Sequence, residues 1–308
     1  MPDSNPASRP LEALNRVLLS VESVRNGRAL YVLLLTFATA GLLLAMAESA
    51  LARSSVAWAV AWGGAALTAL FYGSNAAGLL LMDEARSRPL REVSQALVDA
   101  LAGAHRLLLV LLSVAGLGAL LLALLAAALW ATRAPWVGAA LFGLLLPVAV
   151  VGVGVMLLAA LAVVGPLAAP AIWSGLSVRA TLALLLRQVR ERLLFIALLM
   201  AAVSALAAAV GALASFVVMT GGRVVAALAV LVAGIDLPPQ QLMAGLFGHG
   251  LRSLGAAGAP VVHSAYGQAA LAGGGVVFVM ALVLPGLIYL RGVCSVFVTL
   301  EERDAERA

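Results

Sequence analysis

From Leu193 to Gly222 the chain carries no charged side chain, and it holds five other uncharged runs of similar kind. These are Ala29 to Ala47, Ser54 to Met82, Leu107 to Thr132, Ala134 to Val178 and Ser253 to Leu290, the last most apolar over Ala269 to Leu290. About 20 mostly apolar residues let a helix cross the hydrocarbon core of a bilayer. No water is available there to satisfy a broken backbone hydrogen bond, so such runs have to be helical. With 64% hydrophobic and only 11% charged residues, the chain falls outside the range of soluble domains and reads as an all-α, polytopic membrane helix bundle.

Ala134 to Val178 is long enough to raise the question of two crossings, and the arginines answer it. Arg9, Arg16, Arg25 and Arg28 precede the first span; Arg86, Arg88, Arg91 and Arg106 lie between the second and third. Arg179, Arg187, Arg190 and Arg192 precede the fifth span, and Arg291, Arg303 and Arg307 follow the last. The other connections hold only Arg53, Arg133, Arg223 and Arg252. A single crossing by Ala134 to Val178 puts all four rich clusters on one side. The positive-inside bias therefore predicts six transmembrane helices with both termini cytoplasmic. Trp58, Trp130 and Trp136 then fall near the outer interface, where amphipathic rings prefer to sit.

This division gives an N-terminal cytoplasmic amphipathic segment (1–28), a six-helix transmembrane domain (29–290) with a periplasmic loop (220–268), and a charged C-terminal cytoplasmic tail (291–308). Val224 to Ile235 is apolar but too short to span, and is read as interfacial or re-entrant. Ala45 and Ala47 form an A-x-A-like pattern, but the residues before the first apolar run are long for a signal n-region, so the segment is read as a retained span.

The stretch "SGLSVRATLALLLRQVRERLLF", Ser174 to Phe195, is the clearest amphipathic segment. As a helix it aligns Leu182, Leu185, Leu186, Val189 and Leu193 on one stripe, flanked by Arg179, Arg190 and Arg192. Leucines toward acyl chains and arginines snorkelling toward headgroups make an interfacial helix. Pro166 and Pro170 in "GPLAAPAIW" are expected to form the elbow before it. In "PLREVSQALVDALAGAHR" a stripe of Leu90, Val93, Leu97, Leu101 and Ala104 repeats the arrangement, and Leu11, Leu14, Leu18 and Val21 do so at the N-terminus. Each stretch leads into an odd-numbered span. The chain reads as three tandem units, each a cytoplasmic amphipathic helix followed by a helical hairpin.

The chemistry-bearing residues are few. The basic residues are nineteen arginines with no lysine, which removes Schiff-base chemistry. A net charge of +5 spread along span boundaries does not form a nucleic-acid surface. The lone Cys294 excludes an internal disulfide, and His105, His249 and His263 lack metal-ligand spacing, so no cofactor or metal is expected. Ionisable groups are essentially absent between the span ends, which argues against a proton relay; Glu48 stands at the outer edge of the first span. Asp236, with Pro238 and Pro239, fits a helix start in the outer loop. "FYGSNAAG" supplies an intramembrane polar site, Tyr72, Ser74 and Asn75, with Gly73 and Gly78 permitting close helix approach. The glycines of "VGVGV" (Val151 to Val155) and of Gly273 to Gly275 are expected on small packing faces. No motif of a hydrolase or metalloprotease occurs, so no catalytic residue is assigned.

The segment "PLAAPAIWSGLSVRATLALLLRQVRERLLF" resembles the membrane domain attached to some glycerophosphodiester phosphodiesterases, in which a proline-bearing elbow leads through an amphipathic helix into the next span. Together with "NAAGLLLMDEARSRPLREVSQALVDAL" it is also similar to uncharacterised polytopic inner-membrane proteins of beta-proteobacteria. The resemblance implies a membrane-embedded helical unit and carries over no catalytic residue.

The expectation that follows is a non-enzymatic inner-membrane scaffold, anchor or lipid-organising subunit. Arg91, Arg106, Arg179, Arg187, Arg190 and Arg192 would contact anionic lipid headgroups or a partner protein, including a second copy of the chain. The alternative is a permease or channel for an uncharged or amphipathic solute, passing near Tyr72 and Asn75.

Overall fold

The structure is a computed structural model and describes Asn15 and residues 18–134, 137–234 and 265–306. Among these residues there is no strand. A 3-10 turn, Leu19–Arg25, leads into α1 (Gly27–Ala52), followed by α2 (Val56–Ala85), α3 (Val93–Ala131), α4 (Gly138–Ala159), α5 (Gly165–Trp173), α6 (Val178–Ala233) and α7 (Ala265–Ala305). Six helical stretches are long and apolar enough to cross a membrane, which makes this an all-α membrane helix bundle. The stretch from Gly138 to Trp173 is one of them, so the run that could have crossed twice is one continuous helical rod.

Local sequence sets where the helices start. Asn26 caps α1, its Oδ1 accepting from the amide of Ala29 at 3.1 Å, and Ser177 caps α6 through the amide of Ala180 at 3.3 Å. The prolines depart from expectation. Pro166 and Pro170 lie inside α5, and the chain turns after them, at Ser174 and Gly175, where φ is +95°. A π-helical turn, Ala160–Val164, ends two residues before Pro166. Its wider winding accommodates a ring that would press on the carbonyl four residues back in a regular helix, so the proline is absorbed without an elbow.

Two amphipathic segments are fused to the spans that follow them. α3 has 39 residues and α6 has 56, lengths of about 58 and 84 Å at 1.5 Å per residue. α6 bends once, at Arg192, whose φ and ψ of −140° and 20° interrupt the helix. Beyond that bend it continues to Ala233, so residues 224–233 extend the fifth span as helix instead of forming a separate segment. The residues read as a charged tail likewise continue α7 as far as Ala305. The N-terminal leucines Leu11 and Leu14, and the loop residues Asp236, His249 and His263, lie outside the described residues, as do the side chains of Glu48 and Gly273 to Gly275.

α1 packs along α2, and α7 packs along α6 and α1, with α2 touching α3 and α5. The core gathers at the arginine-rich end, where Leu33, Leu80, Leu167, Ile196, Leu287 and Phe297 are fully buried. Close approach there depends on two glycines. A Cβ at Gly73 would overlap Thr36 of α1, and one at Gly78 would overlap the Trp173 ring. Gly152 and Gly154 have nothing within 4 Å, because α4 stands at the edge of the bundle and most of its side chains face outward. Trp58 and Trp130, at the opposite end, are both exposed.

Candidate functional site

Described arginines from all four arginine-rich regions, Arg28, Arg86, Arg91, Arg187 and Arg291 among them, converge in space, and acidic residues meet them there. Asp83, at the end of α2, is buried, and Arg91 grips it with two parallel bonds, Nε to Oδ2 at 2.7 Å and Nη2 to Oδ1 at 2.9 Å. The remaining Arg91 Nη1 donates to Asp99 on α3 at 2.8 Å. The hydrogen bond to Asp83 raises the Arg91 pKa, outweighing the opposing effect of partial burial, so the guanidinium stays charged. Such fork-to-fork pairs combine charge with fixed geometry.

Neighbouring pairs extend the network. Glu84 accepts from the Asn26 side chain and from Arg291 Nε at 3.3 Å, while Arg291 Nη1 reaches Ser295 at 3.2 Å. Arg86 Nη2 donates to both oxygens of Glu301, at 2.6 and 2.8 Å. Arg28 donates to the carbonyls of Leu90 and Arg91 at 2.8 and 3.0 Å. Asp304 receives Arg187 and Gln188, and its Oδ1 lies 2.7 Å from Arg192 Nη2. Arg303 stacks on Phe195, its Cζ 4.3 Å from the ring centre. The C-terminal turns of α7 are thereby tied to α2 and α6, and Glu84 to the N-cap of α1.

The six arginines singled out in the sequence divide in two. Arg91, Arg187 and Arg192 are committed to Asp83, Asp99 and Asp304. Arg106, Arg179 and Arg190 are exposed and make no ion pair among the described residues. Sequence reasoning missed the carboxylates that hold the first group. The signal was present in "MDEAR" and "EERDAER", where acids sit on the same side of the membrane as the arginines they neutralise.

The polar residues of α2 line a separate groove of about 770 Å³ between α2, α3, α5 and α7. Tyr72, Ser74 and Asn75 stand in its wall with Phe71, Leu107 and Trp173. Asn75 is buried and its amide is engaged at both ends: Oδ1 accepts from Trp173 Nε1 at 2.9 Å, and Nδ2 donates to the Phe71 carbonyl at 2.8 Å. It pins α5 to α2 just where Gly78 admits the indole ring. The rest of the wall is mainly leucine. No family model, curated protein or solved structure matches the chain.

Proposed function

We propose that the protein is a non-enzymatic scaffold, anchor or lipid-organising subunit of a bacterial inner membrane, with its arginine-rich end and both termini in the cytoplasm. The observation that carries this reading is the division of the arginines. One group is spent internally, tying the helix ends together. Arg106, Arg179 and Arg190 project from that network without partners among the described residues. Outward guanidinium groups at a span boundary suit anionic headgroups or an acidic partner surface. Broad leucine and valine faces on α3, α4 and α6 suit acyl chains or a second copy of the chain.

The test is the lipid retained when the protein is extracted in polymer-bounded discs. Wild type is expected to enrich anionic over zwitterionic lipid, and Arg106→Gln/Arg179→Gln to lose that enrichment. Unchanged lipid ratios together with unchanged copurifying proteins would remove the reading.

The groove beside Asn75 favours a second reading, a permease for an amphipathic or uncharged solute. Because the Asn75 amide is already engaged, passage would have to rely on Tyr72, Ser74 and apolar contact. Solute flux in proteoliposomes that is abolished by Ser74→Leu would support it; flux equal to that of protein-free liposomes would dismiss it.

A further inference from the structure

The groove beside Asn75 holds two hydroxyl groups that the fold leaves unused. Tyr72 and Ser74 stand in its wall, and neither makes a hydrogen bond through its hydroxyl among the described residues. Both residues are half-buried, and both hydroxyl oxygens stay accessible. Thr36, Thr68 and Ser113, also on spans, instead give their protons to the carbonyl four residues back. Ser74 could turn to do the same. Tyr72 cannot, because its ring carries the hydroxyl beyond the reach of its own helix. At 1.5 Å per residue Tyr72 lies about 16 Å from Asp83 and about 21 Å from Trp58 along α2, near the middle of the span. That depth is far from the interfacial belts where water meets the polar tip of a tyrosine. A donor left unmet in hydrocarbon is costly, so the groove favours a molecule that brings an acceptor.

We infer that the groove binds one uncharged lipid with a flat, carbonyl-bearing head and an aliphatic tail, the chemistry of a membrane quinone. Its volume of about 770 Å³ falls within the range of roughly 300–1,000 Å³ for small-molecule sites. The cleft between α3 and α4, about 260 Å³, falls below that range and has no polar side chain in its lining. No charged side chain lines the groove, so a charged head would be buried there without a counter-charge. Asn75 is already spent on Trp173 and Phe71, which leaves recognition to the two hydroxyl donors and hence to carbonyl acceptors on the ligand. Phe71 and Tyr72 meet edge to face with ring centres 5.4 Å apart, and Trp173 stands in the same wall. Aromatic walls favour a flat head over a glycerol. Leu67, Leu108 and Leu111 supply an apolar track for the tail. Leu67 and Leu108 are both exposed, so the groove opens sideways toward acyl chains and admits a lipid from the bilayer. The site shares its groove with the transport reading but requires binding alone, with no passage through the bundle.

Saturable binding of tritiated decylbenzoquinone to the full chain in lipid nanodiscs tests the site, because label merely dissolved in the bilayer does not saturate. Wild type is expected to bind saturably. Tyr72→Phe and Ser74→Ala should each weaken binding about fivefold, the equivalent of one neutral hydrogen bond, and together about twentyfold. Neither hydroxyl bonds to the protein, so both variants keep the fold. Ser215→Ala, which removes an outward hydroxyl on α6, should bind as wild type does. Decylbenzene, with the same tail and a ring lacking carbonyls, should displace the label about tenfold less well. Absence of saturable binding in wild type overturns the site, as does undiminished binding in the double variant. Equal displacement by decylbenzene would mean that the hydroxyls read nothing, and stronger displacement by dioctanoylglycerol would give the groove to an ordinary glycerolipid; either result overturns the assignment. Saturable binding without solute flux keeps this site and removes the transport reading, whereas flux without binding does the reverse, so the two fail separately.

Discussion

The opening turns of α3 and of α6 carry the same kind of sequence, a leucine stripe flanked by arginine and running into a span, yet they pack in opposite senses. On α3 the buried ridge is Ala96, Ala100 and Ala104, the last of them shared with the apolar stripe, while the stripe's Leu97 and Leu101 face out, Leu101 60% exposed. On α6 the ridge Thr181, Leu185, Gln188 and Arg192 is buried, and Leu182 and Val189 pack beside it. The alanines lower the surface of α3, so that the helix lies close against its neighbour and leaves its leucines to the surroundings. α6 has no such ridge: Leu185 enters the core, Leu182, Val189 and Leu193 pack against it, and Leu186 stays exposed. Periodicity finds an apolar stripe; the bulk of the adjoining stripe decides whether protein or lipid receives it.

The largest effect that bears on this contrast belongs to the joint that sets α3 against α2. Arg91→Ala strands Asp83, a buried carboxylate, without its two parallel bonds. Breaking such a pair costs about 3 kcal/mol, the lower end of the usual range because Arg91 is partly exposed. A denaturing-detergent titration in mixed micelles should register a loss of that size, with α3 the first element to lose protection from hydrogen exchange. A loss near zero would mean that alanine packing alone positions α3. The leucine of the α6 ridge ranks close behind. Leu185→Ala should cost about 2–4 kcal/mol by transfer and cavity terms together, measured in the same titration.

Much of this arrangement is legible in the sequence, for identifiable reasons. Uncharged run length and arginine clustering are one-dimensional signals, so six crossings follow from them, including the single crossing of Gly138 to Trp173. Gly73 and Gly78 were recognisable because membrane helices use small residues where backbones approach. The direction of the leucine stripes was hidden, since it depends on a neighbouring helix. The ion pairs were hidden too: Arg86 and Glu301 are brought together only by the fold. Pro166 and Pro170 misled because a π turn, which has no strong sequence signature, absorbs the first of them.

A smaller effect is expected at the pin between α2 and α5. Trp173→Phe keeps an aromatic ring at this place but removes the donor to Asn75 Oδ1, together with the outer ring edge that meets Gly78. Loss of one such hydrogen bond, leaving a buried acceptor unmet, should cost about 1–2 kcal/mol. If the groove held water that could take over the bond, the cost would fall below about 0.5 kcal/mol, and the transport reading would gain support.

The smallest expected effect tests the contrast most directly. Leu101→Ala alters a side chain that projects from α3, so it leaves no cavity and should change stability by less than about 0.5 kcal/mol. The value matters only beside that for Leu185→Ala, since both remove the same atoms from the amphipathic opening of a long helix. A difference of about 2 kcal/mol or more between them would establish that the two stripes face different media. Equal losses would mean that Leu101 is covered in the membrane, by a second copy of the chain or by a partner. Dilution of the protein into excess lipid separates these cases: a loss at Leu101 that fades on dilution belongs to an intermolecular contact, because only such a contact depends on protein concentration.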